Sequence, residues 1–143
     1  TLQPFKGATI NLNAANLYTG AAYFDKNMTI EGGGATIDLT NGFDNTPNNE
    51  FEQLIVDKGA TLTLRNVKLR IDPANSGNIG IHFLTGTSGS LQNVEIKDFE
   101  QGILHPGPGF ITLQNVLIKD CRDYGLTLGD PDPKVSVSMS NST

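Results

Sequence analysis

Gly59-Ala60-Thr61-Leu62-Thr63-Leu64-Arg65-Asn66-Val67-Lys68-Leu69-Arg70-Ile71 is the stretch whose reading decides the fold. Leu62 and Leu64 alternate with Thr61, Thr63 and Arg65, and beyond Asn66 the alternation resumes with Val67, Leu69 and Ile71 against Lys68 and Arg70. A period of two over so few residues is a strand with one buried face. Two such strands meet at Asn66, so the corner between them is tight. Asparagine suits that corner because it tolerates the left-handed backbone region and its amide bonds nearby groups. Leu91-Gln92-Asn93-Val94-Glu95-Ile96 and Leu113-Gln114-Asn115-Val116-Leu117-Ile118 repeat the unit, and Leu39-Thr40-Asn41 and Met139-Ser140-Asn141 repeat its core. The five asparagines step by 25, 27, 22 and 26 residues. A period of this size marks a repeat architecture, here built of strands. Amides stacked at successive corners would bond one another in a ladder.

Outward from the corner, Gly34-Ala35-Thr36-Ile37-Asp38-Leu39 is expected to precede Asn41 as Gly59 to Leu64 precede Asn66. Gly7-Ala8-Thr9-Ile10-Asn11-Leu12 carries the same hexapeptide, with Ala14 at the asparagine position. A third strand follows each unit after a loop of variable length: Leu54-Ile55-Val56, Ile81-His82-Phe83, Ile103-Leu104-His105 and Leu126-Thr127-Leu128. Gly80, Gly102 and Gly125 stand directly before three of them. Alternation sends Leu54, Ile81, Ile103 and Leu126 inward and Ile55, His82, Leu104 and Thr127 outward. Variable loops around a constant core are what a solenoid permits.

Composition agrees. The chain has 143 residues, with 16 glycines, no tryptophan and 37% hydrophobic residues, enough for thin stacked rungs. It reads as one domain over 1–143, with 1–33 as an irregular first coil or N-terminal cap. A net charge of -5 without a dense basic cluster excludes a nucleic-acid backbone as partner. No apolar run reaches the length of a membrane span. The single cysteine, Cys121, shares its place after a Lys-Asp pair with Phe99, which makes it a buried thiol rather than a nucleophile. Thr1 in place of methionine and an end at Asn141-Ser142-Thr143, in mid-coil, lead to the expectation of a longer parent protein or an assembly that stacks further coils.

Asn41, Asn66, Asn93, Asn115 and Asn141 within the Leu-x-Asn-Val-x-Ile pattern, with the opening Asn27-Met28-Thr29-Ile30-Glu31-Gly32-Gly33-Gly34-Ala35-Thr36-Ile37-Asp38, resemble the right-handed parallel β-helix of the pectate lyase-like superfamily. The resemblance implies an all-β solenoid of about five coils, three short strands per coil, with an Asn ladder at the tight corner. Handedness follows from it and from the general rule for parallel crossovers. A left-handed β-helix and a β-sandwich are the alternative folds. The first usually keeps a strict hexapeptide period, which is missing here, and the second expects turn signals that are only partly present.

In the resembling enzymes substrate lies beside the third strands. None of the outward positions there, Ile55, His82, Leu104 and Thr127, is the carboxylate that glycoside hydrolysis requires. Lyase chemistry asks for a base and often for Ca²⁺, which takes oxygen ligands. Asp98, Asp120 and Asp123 are the candidate metal ligands, with Asp130 and Asp132 beyond the next strand. Acids at these places also cap turns. His82 and Thr127, with Arg122 and Tyr124 from the adjoining loop, are the candidate substrate-binding residues, Tyr124 as a stacking platform. Arg70, Lys97 and Lys119 form an outward basic column that Glu95 would blunt. His105 is expected to pack at its strand end beside Pro106. The resulting expectation is a secreted or cell-surface module that binds extended polysaccharide without complete catalytic machinery. The alternatives are a fragment of a calcium-dependent polysaccharide lyase and a structural stalk of an adhesin or phage tail protein.

Overall fold

The computed structural model describes residues 8–40, 43–44, 51–74, 78–129 and 135–143. Every regular element among them is a strand, and none is a helix. In chain order they are β1 (Ala8–Asn11), β2 (Leu17–Thr19), β3 (Ala22–Phe24), β4 (Met28–Glu31), β5 (Thr36–Asp38), β6 (Phe43–Asp44) and β7 (Phe51–Val56). There follow β8 (Thr61–Arg70), β9 (Asn78–Phe83), β10 (Ser88–Lys97), β11 (Gln101–His105), β12 (Gly109–Lys119), β13 (Tyr124–Leu128) and β14 (Val135–Ser140).

Two sheets result. One runs β1-β4-β8-β10-β12-β14, with β2 and β5 alongside the far half of β8, and the other runs β13-β11-β9-β7-β3. All pairings are parallel except the short β6 against β7. Parallel neighbours that are not consecutive in the chain require crossovers, and here the crossovers run through the opposite sheet. The arrangement is all-β and compatible with a parallel β-solenoid.

The expected pair of strands on either side of each asparagine is one bent strand. β8, β10 and β12 pass through Asn66, Asn93 and Asn115 at φ of 52°, 54° and 53°, keeping register on both sides of the bend. Asn141 turns in the same way at 48°, after which Thr143 bonds back to Val116 and Ile118. Asn115 Nδ2 donates to Asn93 Oδ1 at 2.8 Å, Asn93 Nδ2 to Asn66 Oδ1 at 2.9 Å, and Asn66 Nδ2 to Glu31 Oε1 at 2.8 Å. Glu31 therefore stands at the foot of the row, and the Asn66 amide together with the Gly33 N–H holds its carboxyl below the usual range.

The Leu39-Thr40-Asn41 unit corrects the sequence reading. Thr36, Ile37 and Asp38 pair with Lys68, Leu69 and Arg70, so Gly34 to Leu39 form a strand beyond the corner rather than before it. The strand before the corner is β4, paired from Met28↔Leu62 to Glu31↔Arg65. Its corner is Gly32-Gly33-Gly34, and Gly33 and Gly34 supply the positive φ, 57° and 91°, that asparagine supplies elsewhere. Asn41 itself lies outside the described residues, as do Asp130 and Asp132. The hexapeptide misleads because its alternation fits either half of a bent strand. Residues 8–31, within the expected irregular opening, join the sheet through β1 and β4 in register.

Inward alternation builds the core between the sheets. Leu62, Leu64, Val67 and Leu69 of β8 face Leu54 and Val56 of β7 and Ile81 and Phe83 of β9, none more than 2% exposed. Gly80 and Gly102 leave room for side chains arriving from the loops. A Cβ at Gly80 would press the Phe99 ring, and one at Gly102 would approach the Cys121 sulfur and stand 2.6 Å from the Gly125 carbonyl oxygen. Cys121 accordingly packs against the core, half-buried, and burial pushes its thiol pKa up.

His105, expected at a strand end, is fully buried beside Phe83, with ring centroids 5.5 Å apart and planes at 16°. Gly107 N–H donates to its Nδ1 at 3.1 Å, which leaves the proton on Nε2, 3.1 Å from the Thr87 carbonyl oxygen. The ring is therefore neutral and fully satisfied. A side chain at Gly109 would collide with it, since a Cβ there would lie 2.6 Å from Nε2.

Two measurements check these inferences. Asn93→Ala keeps a β-carbon in the left-handed region without the amide that lets asparagine tolerate it, a cost of up to about 1–2 kcal/mol, and removes amide bonds worth about 1 kcal/mol together at an exposed site. Asn93→Gly also loses the bonds but has no β-carbon to strain, so urea unfolding should rank wild type above Gly and Gly above Ala. Burial lowers the His105 pKa, so the unfolded chain takes up that proton first. Stability is full above the unfolded value of about 6.5 and declines as pH falls towards the folded value. Urea midpoints should drop between pH 7 and pH 5 by about the range of a buried histidine, and His105→Asn should flatten that slope.

Candidate functional site

The third-strand face has the column that alternation implies. Tyr23 of β3 pairs with Ile55, Ile55 with His82, His82 with Leu104 and Leu104 with Thr127. It is less open than expected. Ile55 is only 9% exposed, a correction to its outward reading, and His82, Leu104 and Thr127 are half-buried. The Thr127 hydroxyl oxygen is buried without a hydrogen-bond partner among the described residues. Arg122 is held by the Glu100 carboxylate and lies 3.6 Å from Asp123, which keeps its guanidinium on its own loop. Tyr124, 61% exposed, is the accessible aromatic beside this face.

Tyr23 caps the column. Its hydroxyl donates to Asp57 Oδ2 at 2.5 Å, and that bond, with the nearby carboxylate charges, pushes its pKa up to about 12. Asp57 also accepts from the Lys58 N–H, while Lys58 Nζ lies 3.5 Å from Asp25.

The proposed metal ligands do not gather. Asp98 and Asp120 both take left-handed φ, 70° and 55°, and both face Lys97, at 3.6 and 3.9 Å. Asp123 pairs with Arg122 instead. Among the described residues no three histidine, cysteine or acidic side chains converge as a metal group. The basic column does line up, Arg70↔Lys97↔Lys119, but each cation has a carboxylate: Asp38 for Arg70 at 3.2 Å, Asp98 for Lys97 and Glu95 for Lys119 at 3.3 Å. Its field is largely cancelled where it arises.

A further surface was not singled out in the sequence. Along the asparagine corner runs an open groove of about 370 Å³, with Asn66, Asn93 and Asn115 on its floor and Lys68, Glu95 and Leu117 beside them. Lys68, Glu95 and Leu117 pair in register across β8, β10 and β12. Each floor amide spends one N–H on the row and has a second to offer. Among the described ion pairs none involves Lys68, so its charge is not offset as those of the basic column are. The signal was present in the sequence, because Lys68, Glu95 and Leu117 each stand two residues after an asparagine.

Compared with protein-family models, curated proteins and solved structures, the chain matches none.

Ultraviolet titration tests the Tyr23 cap. One of the three tyrosines should ionise late, near pH 12, and Asp57→Asn should bring that step down towards an ordinary phenol. A titration with three ordinary tyrosines would remove the Tyr23–Asp57 bond.

Proposed function

We propose that the chain is a right-handed parallel β-helix of about five coils, pectate lyase-like in architecture, that binds an extended polysaccharide along its Asn corner. The in-register parallel sheets and the amide row from Glu31 to Asn115 support the architecture, the row acting as the Asn ladder. One observation carries the function: the corner groove is built from the same positions on three successive strands. A polymer laid along the stacking direction meets an amide at every strand, about 4.8 Å apart. Leu117, 38% exposed, and the stem of Lys68 offer apolar surface to the carbon faces of sugar rings, and the amides offer donors to hydroxyls. A concave, mostly apolar site with a few convergent polar groups is the usual form of a ligand site.

The reading is binding rather than catalysis. Glu95 is the carboxylate beside the groove, and it is paired with Lys119 at 3.3 Å. The competing location is the third-strand face, with His82, Thr127, Arg122 and Tyr124.

Affinity electrophoresis against acidic and neutral soluble glycans separates these readings. Lys68→Ala and Leu117→Asp should each weaken retention roughly tenfold, the equivalent of ~1.4 kcal/mol, while His82→Ala, Arg122→Ala and Tyr124→Ala bind as wild type. The opposite pattern moves the ligand to the third-strand face. Retention by no glycan sinks the binding reading in favour of a stalk, and release of unsaturated uronides in calcium would make the protein a lyase.

A further inference from the structure

The outer face of the strand halves before the corner carries two columns built almost wholly of threonine and serine among the described residues. Thr9, Thr29, Thr63, Ser90, Thr112 and Ser138 form one column, paired strand to strand across β1, β4, β8, β10, β12 and β14. Two residues earlier, Thr61, Ser88, Phe110 and Ser136 form a second column in the same register. None of these side chains is buried, and Phe110 is 66% exposed. No described hydrogen bond uses any of their hydroxyls. The two columns therefore present an array of unpaired hydroxyls, about 4.8 Å apart between strands and about 7 Å along them, with one aromatic ring standing in its midst.

Neither column carries a charge. The adjoining column carries Glu31 and Arg65, register partners of opposite sign, and the loops at the Thr61 end carry Lys58 paired with Asp25. A nucleic acid, a polyuronate or a charged protein surface would find nothing here to neutralise, and would lose its own hydration in the attempt. Protein interfaces also concentrate aromatic, methionine and arginine side chains and are depleted in serine. An uncharged polymer rich in hydroxyls meets the opposite situation. Its hydroxyls exchange water for Thr and Ser hydroxyls at regular intervals, and the CH face of one ring covers the exposed Phe110.

We propose that this face is a platform for a neutral polysaccharide lying along the stacking direction, anchored by stacking on Phe110. It shares the glycan class of the preceding proposal but occupies a different face and is confined to uncharged chains.

Retention on cellulose, chitin and mannan, with polygalacturonate as the charged comparison, tests the platform. At least one neutral glycan should retain the wild type. Phe110→Ala should cut that retention about tenfold, the scale of one aromatic contact together with its lost apolar area. Phe110→Tyr should keep it, and Ser90→Lys should abolish it. Circular dichroism of each variant confirms that the sheets persist. The proposal is overturned if no neutral glycan retains the protein, or if Phe110→Ala and Ser90→Lys bind as wild type. Loss only in Lys68→Ala would also overturn it and assign the ligand to the corner groove.

Discussion

One constraint governs the rest of the structure: a strand must turn within a single residue without losing register with its neighbours. A side chain at positive φ costs energy unless its residue tolerates the left-handed region, and asparagine does so while carrying an amide. The backbone bends at Asn66, Asn93 and Asn115, and each amide reaches the next across the sheet. The bend and the stack thus support each other. Because the bend recurs at the same place in each strand, the positions on either side are locked in columns, and the columns determine every surface of the molecule.

Much of this was legible in the sequence. Alternation on both sides of Asn66, Asn93 and Asn115 gave the columns of β8, β10 and β12, down to the one through Lys97. It failed where a different chemistry meets the same geometric demand. Gly32, Gly33 and Gly34 make the corner before Ala35 without an asparagine, so a search for asparagine slid the register of that coil onto Leu39. A strand of alternating Ala, Thr, Ile and Asp contains nothing to say on which side of a corner it lies. Only its neighbours do.

The candidate site was less legible for a related reason. Alternation says which way a side chain points, but not what lies over it. Ile55 points as expected and is covered, and Tyr23 gains its place only through β3 pairing with β7. Concavity is also invisible to period two. The groove at the corner exists because three bends stack, and it collects Lys68 and Leu117 that a strand-by-strand reading treats as ordinary surface.

The distribution of charge gives the surfaces their separate characters. Beyond the corner, cations and carboxylates alternate closely enough to cancel: Arg70 with Asp38, Lys119 with Glu95, Lys97 with Asp98. Exposed pairs of this kind add little stability, but they remove the long-range field that would draw a polyanion to that face. Before the corner, the Thr and Ser columns need no cancelling because they carry nothing to cancel. Next to the corner stands Lys68, in register with Glu95 and in no described ion pair, beside amides that repeat at each strand. A solenoid of this kind tends to recognise by repetition rather than by a single constellation. Each strand contributes one weak contact, and a ligand with its own period along the same axis collects them together. On the proposed reading, affinity would depend on the number of strands in register, and the asparagine corner that fixes the register would also set the length of ligand bound.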